Sequence, residues 1–243
     1  MKNDMLITTT PHDAVLGPAS KYAAHGFSPS SPRGRVHRAF SVFLFDEGGR
    51  MLITQRAEAK ITFPKVWTNA CCSHQIYGQE PPEVDDNDPD SVLARGRVES
   101  AGAKRGAVRK LKHELGVDGC LEEADFHFLT RFHYWASDTR TYGPETEWGE
   151  HEIDYILFAR KGGVNLSLNP EEVADIKWVT KGELRSMFED PELQWSPWFQ
   201  GIMRLKGWEY WDELEGICEG KGEHADTEVR FFDPPKEFYA SYN

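Results

Sequence analysis

Apolar positions along this chain change rhythm several times, and each rhythm predicts an element. Val36–Phe45 (VHRAFSVFLF) is rich in β-branched and aromatic residues and predicts a strand. Asp46-Glu47-Gly48-Gly49 is a turn signal, and Met51–Gln55 reads as the return strand of a hairpin. Trp67–His74 reads as extended. Between Lys104 and Leu115, Val108, Leu111 and Leu115 recur at i, i+3 and i+7, which predicts a helix, and Gly116 stands where a helix stops. Phe126–Ala136, Glu152–Ala159 and Val173–Val179 predict further strands. Thr180-Lys-Gly-Glu183 is a capping box opening a short helix over Gly182–Phe188. Trp198, Ile202, Leu205, Trp208, Trp211 and Leu214 trace one long amphipathic helix.

Three stretches lack a period. Residues 1–35, rich in Thr, Ser, Pro and Gly, read as an irregular lead-in. Residues 77–102 hold three prolines and seven acidic residues, so they read as a solvated insertion or loop within a domain spanning 36–218. Residues 219–243 read as a tail without pattern. Strands mixed with helices predict a single-domain α/β (α+β) sandwich.

Charge narrows the function. The 28 Lys and Arg against 40 Asp and Glu give a net charge of −12, which repels a nucleic-acid backbone and an anionic membrane surface. A hydrophobic content of 39% with 12% aromatics exceeds that of a disordered chain and supports a buried core. The longest apolar runs, such as Ile153–Ala159, fall far short of the ~20 residues of a membrane span. Met1–Val15 has no apolar segment of a secretory signal. Of the four cysteines, Cys71 and Cys72 are adjacent, which suits a reducing compartment better than a disulfide framework. A cytoplasmic location is expected, with an organellar one open if a transit peptide has been removed. An acidic chain that binds an anion must do so with a local basic cluster.

Candidate chemistry concentrates in a few segments. In Trp67-Thr-Asn-Ala-Cys-Cys-Ser-His74, an extended backbone puts Cys72 and His74 on one face. The plainer alternative is a small buried thiol beside a core histidine. In Trp148-Gly-Glu-His-Glu-Ile-Asp154, Glu150 and Glu152 share a face and His151 takes the other. Two neighbouring carboxylates repel, so a cation must lie between them or one must hold a proton; the alternative is a charged edge strand facing water. His25 and His37 add two imidazoles. With His74, Glu150 and Glu152 they make three nitrogens and two carboxylates, a donor set suited to Zn²⁺, Mn²⁺, Co²⁺ or Mg²⁺. On the 104–115 helix, Lys110 and Glu114 are spaced i, i+4. They make either an ordinary surface ion pair or a diphosphate site in which Glu114 holds Mg²⁺. Lys21, Arg56 and Lys60 would complete the basic cluster.

These segments carry a resemblance. KYAAH (Lys21–His25), HRAFS (His37–Ser41), TNACCSH (Thr68–His74), HYWA (His133–Ala136), WGEHEIDYILF (Trp148–Phe158) and SPWF (Ser196–Phe199) occur in that order. Together they resemble type I isopentenyl-diphosphate Δ-isomerase of the eukaryotic kind, from about Lys21 to Glu215. The resemblance implies a Nudix-like α/β/α sandwich with a mixed sheet. A Nudix hydrolase carries G-x5-E-x7-R-E-U-x-E-E-x-G-U, where U is apolar. Here Arg95, Ala101, Lys110 and His113 stand at the glycine and at three acidic positions, and Glu114 alone survives of the metal-binding set. Losing that set removes the means to activate water on Mg²⁺.

The resemblance further implies that Cys72 and Glu152 are catalytic and that Tyr134 assists Glu152. It implies His25, His37, His74, Glu150 and Glu152 as ligands of a divalent ion, Zn²⁺, Mn²⁺ or Mg²⁺, and Glu114 as the carboxylate on a diphosphate-bound Mg²⁺. Lys21, Arg56, Lys60 and Ser73 would contact the diphosphate of an isoprenyl substrate, with Lys110 beside them. Trp198 would face the reacting carbons. Which of Cys72 and Glu152 gives the proton stays open, and a monomer is expected. Gln75 departs from the Pro common in the family after Ser-His. The competing readings are a Nudix-type diphosphate hydrolase and a non-catalytic, metal-stabilised binding module.

Overall fold

The computed structural model describes residues 4–221 and 224–243. Its centre is β3 (His37–Phe45), which lies parallel to β8 (Gly149–Arg160) in register from His37 opposite Glu152 to Phe45 opposite Arg160. Two earlier strands, β1 (Met5–Thr9) and β2 (Val15–Ser20), form an antiparallel hairpin that joins the sheet through Thr8 opposite His37. A single turn of helix, α1 (Lys21–Ala24), follows, capped by Ser20. Then β4 (Met51–Arg56) leaves β3 through a tight turn and pairs with β5 (Trp67–Asn69), while β6 (Cys71–Ser73) returns antiparallel to β3.

Helices α2 (Pro89–Arg95) and α3 (Ala101–Leu115) lead to β7 (His127–Ser137), which runs antiparallel to β8. The single turn α4 (Thr139–Tyr142) precedes β8, and β9 (Val173–Val179) pairs with β4. Helix α5 (Lys181–Glu189) opens on the expected Thr180–Glu183 capping box. After it come α6 (Pro197–Ile202), a π-helical turn (Met203–Gly207), α7 (Trp208–Asp212) and α8 (Leu214–Cys218). The last strand, β10 (Val229–Phe232), lies parallel to β7.

Alternation on β3 and β8 builds two cores, one on each face of the sheet. On the back face, Phe40, Val42, Ile153 and Leu157 pack against Ala103, Ala107, Leu111 and Leu115, the buried stripe of α3. Each large aliphatic side chain buried there contributes roughly 1.5–3 kcal/mol. Gly106 makes the approach close: a Cβ there would lie 2.7 Å from the Phe40 ring. On the front face, Phe43, Phe158 and Phe132 meet Trp198, Phe199 and Trp211 of α6 and α7. Helices on both faces of a mixed sheet make the expected α/β/α sandwich.

Five expectations are corrected. The lead-in is not irregular: β1 buries Leu6 and Ile7 completely. The acidic stretch 77–102 is not a solvated loop, because Glu83, Asp85 and Asn87 are buried. Asp85 accepts hydrogen bonds from the Gly102 and Ala103 amides at 2.8 and 3.2 Å, so it caps α3, which starts at Ala101 rather than Lys104. Glu83 takes both Arg109 Nε and Nη2 at 2.7 and 2.8 Å. The long C-terminal helix is interrupted by the π turn and again at Glu213. The tail supplies β10 and buries Phe238. Among the described residues no helix is long and apolar enough to cross a membrane.

Candidate active site

The front face of the sheet opens into a cavity of about 370 Å³. On β8, Glu150 and Glu152 project into it and His151 takes the other face, stacked on His133 at 5.0 Å. The β3–β8 register brings His37 opposite Glu152, β6 delivers Cys72 and then His74, and the capped turn α1 ends on His25. The five donors His25, His37, His74, Glu150 and Glu152 are all buried, and their ligand atoms lie within 4.8 Å of one another.

Hydrogen bonds around these rings fix which nitrogen faces inward. His25 Nδ1 and His37 Nδ1 lie 2.7 and 2.8 Å from the Lys21 and Arg35 carbonyl oxygens. A carbonyl only accepts, so each Nδ1 carries the hydrogen and Nε2 is turned to the centre. Burial, then His25, drives the His37 pKa down to about 3, so its Nε2 is a bare lone pair at neutral pH. That lone pair lies 4.0 Å from Glu150 Oε2, an ionised acceptor, and 3.7 Å from Glu152 Oε1. His74 Nε2 lies 2.8 Å from Glu152 Oε1, and burial followed by His25 holds its pKa well below 6.5. His37 Nε2 and Glu150 Oε2 have no hydrogen-bond partner. Acceptors facing acceptors in a dry site repel unless a cation joins them, and second-sphere carbonyls on Nδ1 are the usual support of a metal-bound imidazole. The residues fit a divalent ion.

Glu150 and Glu152 differ although both are buried. Burial alone would raise Glu150, but His25 outweighs it, with Thr62 Oγ1 donating to Oε1 at 2.5 Å, and the pKa is low. Glu152 is raised by burial, by Glu150 and by Asp154, and accepts a short hydrogen bond from Tyr134 Oη. Cys72 Sγ stands at the other wall. It donates to Asn69 Oδ1 at 2.8 Å and accepts from Trp198 Nε1 at 2.9 Å. Burial and then Asp154 push its pKa up to about 12, so it stays a thiol at neutral pH.

The basic residues meet at the rim. Lys21, Arg56, Lys60 and Ser73 line the cavity. Arg56 donates to the Phe63 and Thr62 carbonyls and lies over the Trp198 ring at 5.3 Å. Lys60 pairs with Glu172 at 2.5 Å. Lys110 pairs with Glu114 at 3.0 Å and with the cavity residue Glu172 at 3.3 Å, while neither Lys110 nor Glu114 lines the cavity itself.

The sequence profile of the NUDIX domain family matches residues 35–199. The isopentenyl-diphosphate delta-isomerase of Gibberella zeae is 42% identical over 88% of this chain and 78% of its own. That of Schizosaccharomyces pombe is 41% identical over 88% and 86%, and that of Phaffia rhodozyma 42% over 92% and 82%. The chain belongs to the type I isopentenyl-diphosphate isomerase family. It is an enzyme family on a Nudix fold, and the helix that carries the acidic cluster of a Nudix hydrolase has here one buried carboxylate, Glu114, tied to a lysine.

Two residues in or next to this isomerase's cavity escaped the sequence reading. Asp154 continues the Glu150, Glu152 alternation onto the same face, accepts from Ser41 Oγ at 2.7 Å and has its pKa raised by burial to about 7. The signal was present, since E-x-E-x-D is one period-2 run, but Asp154 sits among apolar residues that read as core. Glu172, which ties Lys60 to Lys110, had no signal: it belongs to an Asn-Pro-Glu-Glu loop resembling any surface turn.

Proposed function

We propose that this isomerase interconverts isopentenyl diphosphate and dimethylallyl diphosphate, with Cys72 and Glu152 as its proton-handling pair. The observation that carries this reading is a thiol and a carboxylate, Cys72 and Glu152, lining one cavity next to a basic rim, with burial raising the pKa of both. The reaction adds a proton at one end of the alkene and removes one from a neighbouring carbon. One member of the pair gives, the other takes, and the reverse reaction exchanges them. Tyr134 holds Glu152 in place and feeds its hydrogen bond. Asn69 and Trp198 fix the Cys72 sulfur from two sides.

The intermediate resembles a tertiary carbocation and must be kept from water. Trp198 and Tyr134, ring centroids 6.2 Å apart, supply the aromatic wall. A desolvated Trp face is worth roughly 2 kcal/mol to such a cation. His25, His37, His74, Glu150 and Glu152 would hold a divalent ion, Zn²⁺, Mn²⁺ or Mg²⁺, which supplies positive charge that steadies Glu152. Lys21, Lys60, Arg56 and Ser73 take the diphosphate. Glu114, with Lys110 beside it, would hold the Mg²⁺ that accompanies that group. Free thiols at all four cysteines support a cytoplasmic, reducing home, and a site built within one chain supports a working monomer.

Incubation with isopentenyl diphosphate in deuterated water tests the reaction. Deuterium is expected in a dimethylallyl product, whereas release of phosphate without isomerised product would establish hydrolysis instead. Cys72→Ala and Glu152→Gln are each expected to lower turnover by roughly 10²–10⁴. Near-full activity in either variant removes that residue from the pair.

A further inference from the structure

A second cavity, of about 450 Å³, shares two walls with the active site. Its lining is mainly apolar, with Phe188 of α5, Met203, Trp208 of α7 and Phe232 of β10. Its size falls in the range of roughly 300–1,000 Å³ typical of small-molecule sites. One shared wall is α6, which gives Gln200 and Gly201 to this cavity and Trp198 to the active site. The other is a ring pair. Phe232 stacks on Tyr134 with centroids 5.4 Å apart and planes 4° from parallel, so one ring borders each cavity. There is no slack between these walls, because a Cβ on Gly201 would come within 2.2 Å of the Phe232 ring.

The mouth has its own chemistry. Arg185 lies over the Trp208 ring at 4.9 Å, and Arg204 is exposed and makes no ion pair or hydrogen bond among the described residues. Glu189 is the one acid in the lining, which leaves a positive mouth on a chain of net charge −12. An apolar interior with a cationic mouth matches an apolar tail with an anionic head.

We propose that this cavity is a regulatory site for a single-chain anionic amphiphile, an acyl or isoprenyl tail ending in a phosphate-like head. The tail lies among Phe188, Met203 and Trp208 and presses on Phe232, while the head meets Arg185 and Arg204. Because Phe232 is stacked on Tyr134, and Tyr134 donates to Glu152, a tail that shifts Phe232 disturbs proton transfer rather than diphosphate binding. Occupancy therefore lowers kcat and leaves KM nearly unchanged.

Calorimetric titration with dodecyl phosphate and with farnesyl monophosphate, each below its micelle concentration, tests binding directly. Inorganic phosphate and dodecanol supply the head alone and the tail alone. Binding of either amphiphile in preference to both controls is expected, and the tighter of the two identifies the tail. At saturation, kcat is expected to fall about fivefold or more. Arg204→Glu, a change at an exposed side chain, should keep basal turnover and weaken amphiphile binding about tenfold. No binding by either amphiphile overturns the proposal. So does inhibition that raises KM alone with undiminished affinity in Arg204→Glu, which would place the amphiphile in the active site. Sedimentation at twice the chain mass without amphiphile binding would assign the cavity to a second copy and overturn it as well.

Discussion

The two faces of one sheet both bury charge, and they do it to opposite ends. On the back face, Asp13 is fully buried at a turn with φ of 71°. Its Oδ1 takes Arg38 Nε at 2.7 Å, its Oδ2 takes Arg131 Nη1 at 2.8 Å and the Tyr155 hydroxyl, and Arg38 reaches on to the Asp85 carbonyl at 2.6 Å. Each carboxylate oxygen meets a donor. On the front face, the same strands bury His37, Glu152 and Asp154, and acceptors confront acceptors. Burial of ionisable groups therefore does not mark a functional site. The mark here is a cluster of unpartnered lone pairs, His25 Nε2, His37 Nε2 and Glu150 Oε2, gathered at one point.

The sharpest way to separate the faces is to cut one group from each. Cys72→Ala should cost roughly 10²–10⁴ in turnover while thermal melting moves little. Asp13→Ala should cost about 3–5 kcal/mol in urea unfolding, since it strands two buried guanidinium groups, while turnover per folded molecule stays near wild type. If Asp13→Ala instead abolished turnover in folded protein, the division between the faces would fail.

Removing the divalent ion is expected to act on the front face alone. An ion present at a thousand times its dissociation constant stabilises by about 4 kcal/mol, so a chelator should lower the Tm by roughly 8–16 °C. His37→Ala should abolish that shift, and Arg105→Ala, at a surface pair, should leave it intact.

A smaller effect is expected from pH. Burial, then Lys60 and Lys110, lowers the Lys21 pKa from 10.5 to about 8. A lysine lowered on folding weakens the fold below about 8, and that penalty fades as pH rises towards 10.5. Diphosphate binding runs the other way: it needs the charged form, so KM should rise above pH 8 by up to about tenfold per unit. Lys21→Gln should raise KM and flatten that limb; an unchanged profile would remove Lys21 from the rim. The smallest effect serves as a control. Lys112 and Asp118 pair at 2.9 Å, both mostly exposed, and Lys112→Ala should change stability by less than about 0.5 kcal/mol.

The periodic elements were readable from the sequence because their partners are local or their pattern is long. β3, β8, α3 and the Thr180 capping box all emerged within a few residues of their observed bounds. The alternation put Cys72 with His74 and Glu150 with Glu152 on shared faces, as the structure has them, but it was the resemblance that singled them out as candidate site residues. What escaped depends on distant partners. β10 is four residues long and pairs with a strand about a hundred residues earlier. Glu83 and Asp85 read as solvated because composition cannot show Arg109, or the first amides of α3, waiting for them. Asp13 sits in a turn whose polar residues look like any other, and its role exists only once Arg38 and Arg131 are folded around it.

His37 and Arg38 are neighbours on β3, and each belongs to a different face. A slip of β3 by one residue would turn the Arg38 guanidinium into the histidine cluster and leave Asp13 facing an imidazole. Both faces would then carry unmatched charge at once, which is far worse than the misplaced methyl groups of an all-apolar strand. The central strand thus rejects its own misalignment, and the residues that equip this protein for chemistry also guard the accuracy with which it folds.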